Sequence, residues 1–369
     1  MRQHLAAGCA AVVATLFAAA PVVAAPPNPS PSPGASAPGG TPVTWSVAPA
    51  AAQGPDGRPA FELETDPGQT LRDVVAVTNF SAAPVTFRLY ASDAVNTASG
   101  GFDLLAGDTK PTDVGAWVVL ARQQVTVPAH ATVNVPFTLA VPANGTPGDH
   151  VGGIVASLQQ PGSGPVVIEN RIGSRIYLRV HGKLVPSLAV TRLDADYHDS
   201  INPFSGGDVT VDYTVRNTGN VRLAAGQLVD VTAATGSRLS TAAGPAVAEL
   251  LPGQSLRYRL TVHGVGPLGP LGANVVVTPA AVKGDKYTES LSAAALGTGQ
   301  RSADLFAMPW SQLAVLLLLA GAVWLSVIEL RRRRRNAARA LAEAVDRARL
   351  EERRAAVQLL EEARVEETL

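Results

Sequence analysis

An uncharged stretch near the C-terminus constrains this chain more than any other feature. No residue from Trp310 to Ile328 is charged, and about 20 apolar residues in a helix span the hydrocarbon layer of a membrane. Only a helix satisfies its own backbone hydrogen bonds in lipid, so the stretch predicts a transmembrane helix over 309–330. Trp310 and Trp324 are expected toward the two membrane interfaces, which indole rings prefer. The alternative is a buried core helix of a soluble domain.

A run of arginines follows this stretch and argues against the core helix. Cytoplasmic flanks of membrane helices are enriched in basic residues. The C-terminus is therefore predicted to be cytoplasmic, and the residues that indicate this are Arg331, Arg332, Arg333, Arg334 and Arg335. The tail 331–369 is rich in Ala, Glu, Arg and Leu, which favour helix. We expect a solvated or membrane-surface helix there, with a coiled coil as the alternative.

The N-terminus has the pattern of an export signal. An apolar run, Leu5–Ala20, is followed by small residues that end at Ala24, as signal peptidase requires. Residues 1–24 are therefore predicted to be a signal peptide, with an uncleaved first membrane helix as the alternative. Residues 25–42 are rich in Pro, Ser and Gly, which predicts an extended spacer. Together these features predict a single-pass cell-membrane protein with extracellular N-terminal domains.

Cysteine usage and charge restrict the exported part further. Cys9 is the only cysteine and lies in the predicted signal peptide. The mature protein therefore has no disulfide and must rely on hydrophobic cores, which need domains of about 100 residues or more. Acidic residues slightly outnumber basic ones before the membrane stretch, so we expect no nucleic-acid partner.

Short alternating segments fill the region between the spacer and the membrane stretch. Val85–Ala91, for example, places apolar residues on one face and polar ones on the other. Many such strands, separated by Gly, Pro, Asn and Asp, predict a mainly β fold of two tandem immunoglobulin-like β-sandwiches. Their predicted bounds are 43–183 and 184–295, with a short linker over 296–308.

The two predicted sandwiches share one plan. Val74–Asn79 and Val209–Asn217 each run into a turn that begins with Asn. Val127–Leu139 parallels Leu251–Val262, since each has an apolar residue, Pro, a turn and then an alternating strand. Lys286–Leu291 is predicted to be the last strand of the second sandwich.

Motifs of catalysis and metal binding do not stand out. The sequence has no Gly-x-Ser-x-Gly, no His-Glu-x-x-His and no phosphate-binding Gly loop. The histidines of the exported part do not pair at i+2 or i+4, so a zinc site is not indicated. Asp194–Asp199 contains three carboxylates without the later Glu of a calcium loop, which favours a solvated strand end. We predict no enzyme activity, cofactor or metal.

The segment 141–157 is the most distinctive part of the first sandwich. Its strand carries Gly152 and Gly153 side by side. Glycine weakens a strand unless something must approach the backbone closely. That neighbour is either a ligand or a bulky side chain such as Trp117.

A family resemblance becomes visible at this segment. Pro147-Gly-Asp-His-Val-Gly-Gly-Ile-Val-Ala-Ser157, followed by Arg171–Gly182, resembles the first extracellular domain of the bacterial WxL-interacting proteins. The opening Val43-Thr-Trp-Ser-Val-Ala-Pro49 is similar to that family too. The resemblance covers about residues 43–183 and implies a peptidoglycan-binding first domain. It also implies a second domain that contacts partner or host proteins.

The resemblance implies four ligand-contact residues. Asp149 and His150 would hydrogen-bond sugar hydroxyls or peptide amides. Arg175 would pair with a stem-peptide carboxylate as a planar fork, and Tyr177 would stack on a sugar. In the structural alternative, Asp149 holds its turn, and Arg175 and Tyr177 form an exposed strand face.

The sequence thus predicts a non-enzymatic, single-span surface protein that binds peptidoglycan or a wall-associated protein. The alternative is a subunit of a membrane complex or a signal transducer, whose ectodomain binds a protein and whose cytoplasmic helix relays the event. A hydrolase that depends on His150 is a third hypothesis.

Overall fold

The computed structural model describes residues 43–161, 167–291 and 296–366. The predicted signal peptide, 1–24, and the predicted spacer, 25–42, lie outside these residues. The described chain is mainly β, with two β-sandwiches followed by one long helix, which confirms the predicted fold class.

The first sandwich consists of two antiparallel-rich sheets. One has the strand order β2-β1-β4-β9-β7, and the other has the order β3-β11-β10-β5-β6, with β8 also paired to β5. The elements are β1 (Trp45–Ala51), β2 (Gly54–Pro55), β3 (Phe61–Thr65), β4 (Thr70–Asn79), β5 (Val85–Asn96), β6 (Phe102–Leu104), α1 (Val114–Trp117), β7 (Val118–Leu120), β8 (Gln124–Val127), β9 (Thr132–Ala140), β10 (Gly148–Pro161) and β11 (Val167–Val180).

Aromatic contacts between the two sheets show where the first core lies. Alternate residues of each strand point to one face, and those that point inward here are apolar. Trp45 of one sheet lies 5.2 Å from Phe87 of the other between ring centroids. Phe61 and Phe137 meet edge to face at 5.1 Å. The sheets therefore pack face to face around a single apolar layer.

The second sandwich repeats this arrangement with fewer strands. Its sheets have the orders β12-β13-β17 and β15-β14-β18-β19, with β16 also paired to β14. Val215 and Val229, from opposite sheets, are fully buried in one core. The elements are β12 (Leu188–His198), β13 (Gly207–Asn217), β14 (Leu223–Ala233), β15 (Arg238–Ala243), β16 (Val247–Leu250), β17 (Ser255–Val265), β18 (Gly269–Ala280), α2 (Lys286–Ser290) and β19 (Gly299–Ala307).

Two local predictions near the end of the second sandwich are corrected. Gly299–Ala307, predicted as linker, is the edge strand β19 and pairs with β18. Its alternation is weak because only Ala303, Leu305 and Ala307 face inward. Lys286–Ser290, predicted as a strand, is a helical turn because Asp285 caps it by accepting a hydrogen bond from the backbone of Tyr287.

The predicted repeat is present at the level of hydrogen bonds. Asn79 is fully buried and donates to the carbonyls of Ala83, at 2.8 Å, and Val127, at 3.1 Å. Asn217 is also fully buried and donates to Val221 O, at 2.8 Å, and Leu250 O, at 2.9 Å. Each Asn therefore ties its own turn to the strand end that precedes the apolar-Pro turn of the same sandwich.

A single uninterrupted helix, Trp310–Glu366, ends the described chain. Its apolar first part is long enough to cross a membrane, and none of that part is buried against the rest of the protein. Trp310 and Trp324 are both largely exposed, and the arginine run continues the same helix.

Candidate functional site

Three of the four predicted contact residues lie where the two sandwiches meet. Asp149 of β10 is buried, and its Oδ1 accepts a hydrogen bond from Arg179 Nε at 2.7 Å. Its Oδ2 accepts from the backbone N–H of Arg222, in the second sandwich, at 2.8 Å. Its own N–H donates to Asn220 O at 2.7 Å. Asp149 therefore connects strand β11 of its own sandwich to the second sandwich.

Arg179 is the centre of this contact. Besides Asp149, it donates from Nη1 and Nη2 to the two carboxylate oxygens of Asp285, at 3.3 and 3.1 Å. Its guanidinium also lies 4.8 Å from the ring centroid of Tyr287. The Arg179 side chain is only 12% exposed, and those of Asp149 and Asp285 are 5% and 6% exposed. Such fork-shaped, desolvated pairs are strong and directional.

The electrostatics of Asp285 reflect two opposing causes. Burial favours the neutral carboxyl, but the hydrogen bonds and charge of Arg179, together with the charge of Arg222, outweigh it. The pKa of the Asp285 carboxyl is therefore lowered from its ordinary value. The junction thus contains a carboxylate that is ionised at neutral pH.

A second ionic group lies beside the first. Arg222 Nη1 donates to Glu249 Oε1 at 3.0 Å, and the guanidinium lies 3.9 Å from the centroid of the Tyr177 ring. The Tyr177 hydroxyl donates to Glu249 Oε2 at 3.4 Å. Arg175 donates to that hydroxyl at 3.0 Å and lies over the ring of Phe102 at 4.1 Å. Tyr177 and Arg175 therefore both contact the second sandwich through Glu249.

An apolar cluster completes the contact between the sandwiches. Leu251 of the second sandwich is buried against Ala94 and Val151 of the first. Asn96 of the first sandwich makes two hydrogen bonds to the backbone at Leu251. Its Nδ2 donates to Glu249 O at 2.8 Å, and its Oδ1 accepts from Leu251 N at 3.0 Å. We call this region the junction; its polar members are Asn96, Asp149, Arg175, Tyr177, Arg179, Asn220, Arg222, Glu249 and Asp285.

A cleft of about 520 Å³ opens over the junction. Its rim carries Glu62, Glu64 and Lys286. The guanidinium groups of Arg179 and Arg222 on its floor are already paired with carboxylates. The arrangement therefore suits a rigid connection between domains.

His150 takes a different position from its neighbour. Successive strand residues point to opposite faces, so His150 faces α1, where its ring lies 4.8 Å from that of Trp117. Nδ1 lies 2.7 Å from Asp113 Oδ1, and Nε2 lies 2.7 Å from Thr146 O. Both partners only accept, and only the protonated imidazole carries two N–H donors. The geometry therefore favours the imidazolium.

The pKa of His150 agrees with this geometry. Burial alone lowers the pKa, but the hydrogen bond and charge of Asp113 and the Thr146 carbonyl outweigh it, so the pKa is raised. A raised folded-state pKa stabilises the fold below about pH 6.5, the ordinary value, and this contribution is lost as the pH rises through the folded-state pKa. We expect the substitution His150→Gln to remove this loss of folding stability at rising pH. Urea denaturation from pH 5.5 to 8.5 measures it.

The matched control is His181→Gln. His181 also lies beside a carboxylate, with Nδ1 3.0 Å from Asp66 Oδ1, but the pair is exposed. This variant should keep the pH slope of the wild type. A slope that persists in His150→Gln would assign the pH dependence to other groups.

The paired glycines are explained by packing within the first sandwich. A Cβ on Gly152 would lie 2.6 Å from Ser92 O, and a Cβ on Gly153 would lie 2.6 Å from Leu104 Cδ1. Gly173 on the adjacent strand makes room for the same leucine. Close approach is therefore required by the packing of this fold. This agrees with the packing alternative, except that the bulky side chain is Leu104 and not Trp117.

The structure brings Asp149, Arg175 and Tyr177 together and leaves His150 apart from them. Their role as ligand contacts stays a prediction. Sequence reasoning missed the residues that complete the junction: Asn96, Arg179, Asn220, Arg222, Glu249 and Asp285. Arg179 had a signal, because the period of two puts it on the same face of β11 as Arg175 and Tyr177.

Metal binding has no structural support in the described residues. Within 43–161, 167–291 and 296–366 no three His, Cys, Asp or Glu side chains are grouped to hold an ion. In the acidic strand end, Asp194 accepts instead from Arg192 Nε at 2.6 Å.

Comparison with known proteins gives structural likeness only. No protein-family model matches the chain. No curated protein matches it. A chain from a chaperone–tip adhesin complex of CFA/I fimbriae biogenesis is 10% identical, with 71% of this chain and 98% of that chain covered and a TM-score of 0.34.

Two chaperones are similar at the same level. The class 5 fimbriae chaperone CfaA is 12% identical, with 72% of this chain and all of that chain covered and a TM-score of 0.33. The E. coli chaperone DraB is 13% identical, with 71% of this chain and 97% of that chain covered and a TM-score of 0.29. At these TM-scores the likenesses do not indicate what this chain binds.

Proposed function

We propose that this protein is a single-span membrane protein whose joined β-sandwiches bind an extended segment of a wall-associated or other surface protein. The observation that carries the proposal is a free strand edge on β11. Val167–Val180 pairs with β10 along its whole length, but β3 covers only Ile176–Val180 on the other side. Among the described residues, no strand pairs with the outer edge of Val167–Arg175.

The side chains along this edge favour a protein partner. Ile176 points into the first core and is fully buried. Ile172 and Ile168 continue the same face and are 38% and 51% exposed. An open edge offers backbone N–H and C=O groups to an added strand, and alternate apolar side chains give that strand pockets to fill.

The position of this edge in the fold supports the proposal that it binds a partner. β10 and β11 start and end at the junction, so the edge runs from Arg175, beside the junction, toward the end of the first sandwich away from the second one. The second sandwich lies between this edge and the membrane helix. Its length is that of β13, which has 11 residues and spans about 35 Å at ~3.3 Å per residue. The orientation, with the sandwiches outside and the arginine run in the cytoplasm, is part of the proposal and follows the positive-inside rule.

Site-specific crosslinking tests the edge in native membranes. We would place a photoreactive benzoylphenylalanine at Asn170 of the full-length protein, and at Val119 as control. Val119 is 63% exposed on the other sheet. The proposal expects an adduct with a discrete protein from position 170 only, and its loss in Ile168→Lys/Ile172→Lys. Adducts that are equal at both positions, or that survive the double substitution, would contradict it.

Sedimentation with purified peptidoglycan tests the partner that the family resemblance implies. Binding that is unaffected by Ile168→Lys/Ile172→Lys but reduced by Arg175→Ala would favour peptidoglycan. Arg175 suits this test because its side chain is 47% exposed.

A relay to the cytoplasm is the second proposed function, and the uninterrupted helix Trp310–Glu366 supports it. Deletion of 336–369 should then alter a cytoplasmic response and leave surface binding intact. If nothing except the tail itself is lost, the helix serves as an anchor.

A further inference from the structure

The end of the second sandwich beside the membrane helix exposes large apolar side chains. On the loop 199–206, between β12 and β13, Ile201 is 98% exposed and Phe204 is 93% exposed. Single exposed apolar residues are ordinary, but this end carries four more: Leu268, Phe306, Met308 and Trp310. Several exposed apolar side chains at one end of a domain mark an interaction site.

Strand register places these residues at one end of the sandwich. β13 begins at Gly207, opposite Val265 at the end of β17. β18 begins at Gly269, opposite Ala307 at the end of β19. The loop 199–206, the β17–β18 connection and the start of the C-terminal helix are therefore neighbours, at the end opposite the junction.

Hydrogen bonds fix the loop to the helix. Ser311 N–H donates to Asp199 Oδ2 at 3.1 Å, and Gln312 Nε2 donates to Pro203 O at 3.0 Å. A carboxylate at the first turn also suits the positive end of the helix dipole. Because the apolar part of the helix starts at this turn, insertion of the helix brings the loop to the bilayer surface.

Several polar groups of the loop pair with one another. Ser200 Oγ and Ser205 Oγ lie 2.7 Å apart, Phe204 N–H donates to Asn202 Oδ1 at 3.0 Å, and Ser205 N–H donates to Asn202 O at 3.1 Å. Paired groups reduce the cost of leaving water. The loop therefore turns Ile201 and Phe204 outward on a backbone that tolerates a drier environment.

We infer that loop 199–206 inserts Ile201 and Phe204 into the interfacial layer of the bilayer that holds Trp310–Ile328. The second sandwich then rests on the membrane instead of swinging on its tether. Apolar side chains at such interfaces enter about 5–10 Å, and aromatic rings favour this depth. The inference rests on the proposed membrane span, and a second copy of the chain is the competing occupant.

Spin labelling of the full-length protein in phosphatidylcholine–phosphatidylglycerol vesicles tests this depth. In a Cys9→Ser background the chain has no other cysteine, so labels at Phe204→Cys, Phe80→Cys and Leu317→Cys are unique. Phe80, 54% exposed in the first sandwich, is the aqueous control, and Leu317, 73% exposed on the helix, is the lipid control. Collision with oxygen is compared with collision with a water-soluble nickel chelate.

The inference expects label 204 to shift toward oxygen, as label 317 does, while label 80 prefers the nickel chelate. A label at 204 that prefers nickel, with 317 still in lipid, would overturn the insertion and leave the span intact. Low collision with both probes at 204 would show a protein contact, such as a second copy, and would also overturn it. An aqueous label at 317 would instead remove the proposed span itself.

Discussion

Replacing Arg179 with methionine is expected to lower the free energy of unfolding by about 3–5 kcal/mol, because it leaves two buried carboxylates without the guanidinium that hydrogen-bonds them both. Asp149 and Asp285, one from each sandwich, would then face each other at the junction. Methionine keeps most of the side-chain volume, so the loss reports charge more than packing. Urea denaturation of the full-length protein in detergent, followed by far-UV circular dichroism, measures it.

Arg192→Met is the matched control for this prediction. Arg192 forms a short ion pair with Asp194, but its side chain is 65% exposed. Exposed ion pairs contribute little to stability because water and salt screen them, so this variant should unfold almost like the wild type. Equal effects of the two substitutions would mean that the junction is not the desolvated contact described above.

A double substitution separates the effect of the Arg179–Asp285 charges from the effect of packing. Arg179→Met/Asp285→Leu removes a charge from each side and should recover part of the lost stability, because uncompensated charge is the main cost. If the double variant loses more free energy of unfolding than the two single variants lose together, packing and not charge dominates at this position.

The same junction should weaken in acid. The folded-state pKa of Asp285 is lowered from 3.8. Its contribution to stability is therefore present above about pH 3.8 and is lost as the pH falls through the lower folded-state value. In Arg179→Met this part of the acid sensitivity should be reduced.

The second large effect is expected at the repeated asparagines. Asn217→Ala should lower the free energy of unfolding by about 2–4 kcal/mol, since each buried carbonyl or amide left unpaired costs about 1–3 kcal/mol. The lost bonds are those to Val221 O and Leu250 O and the one accepted from Gly219 N. Asn79→Ala should have a similar effect in the first sandwich.

Two further variants test the reason for this effect. Asn217→Asp keeps the acceptor and loses the donors, so it should be about as destabilised as alanine. Asn144→Ala removes an exposed asparagine from a turn and should stay within about 0.5 kcal/mol of the wild type. If Asn217→Asp is as stable as the wild type, the two donated bonds are not what holds the turn.

Most strands of this fold were predictable because alternation is a local property. Val85–Ala91 alternates without interruption, and the structure extends it into β5. The edge strand Gly299–Ala307 has polar residues at most outward positions, and only Ala303, Leu305 and Ala307 face inward, so its sequence resembled a linker. The helical turn Lys286–Ser290 is stabilised by a cap from Asp285, and the alternation of polar and apolar residues gives no sign of such a cap.

The candidate site was only partly predictable for a different reason. The face of β11 that carries Arg175 and Tyr177 follows from the period of two, and so does the place of Arg179 on it. The partners do not, because Asp285 lies 106 positions from Arg179 in the chain. Their contact exists only when the two sandwiches pack.

The sequence by itself determined the apolar helix, the arginine run behind it and the two sets of strands, because hydropathy and period are carried by neighbouring residues. Only the tertiary structure decided that Asp149 joins two domains, that Ile168 and Ile172 line an open edge and that Ile201 and Phe204 lie beside the helix. These features depend on which distant residues exclude water from each other. That is a property of packing, which no local pattern records.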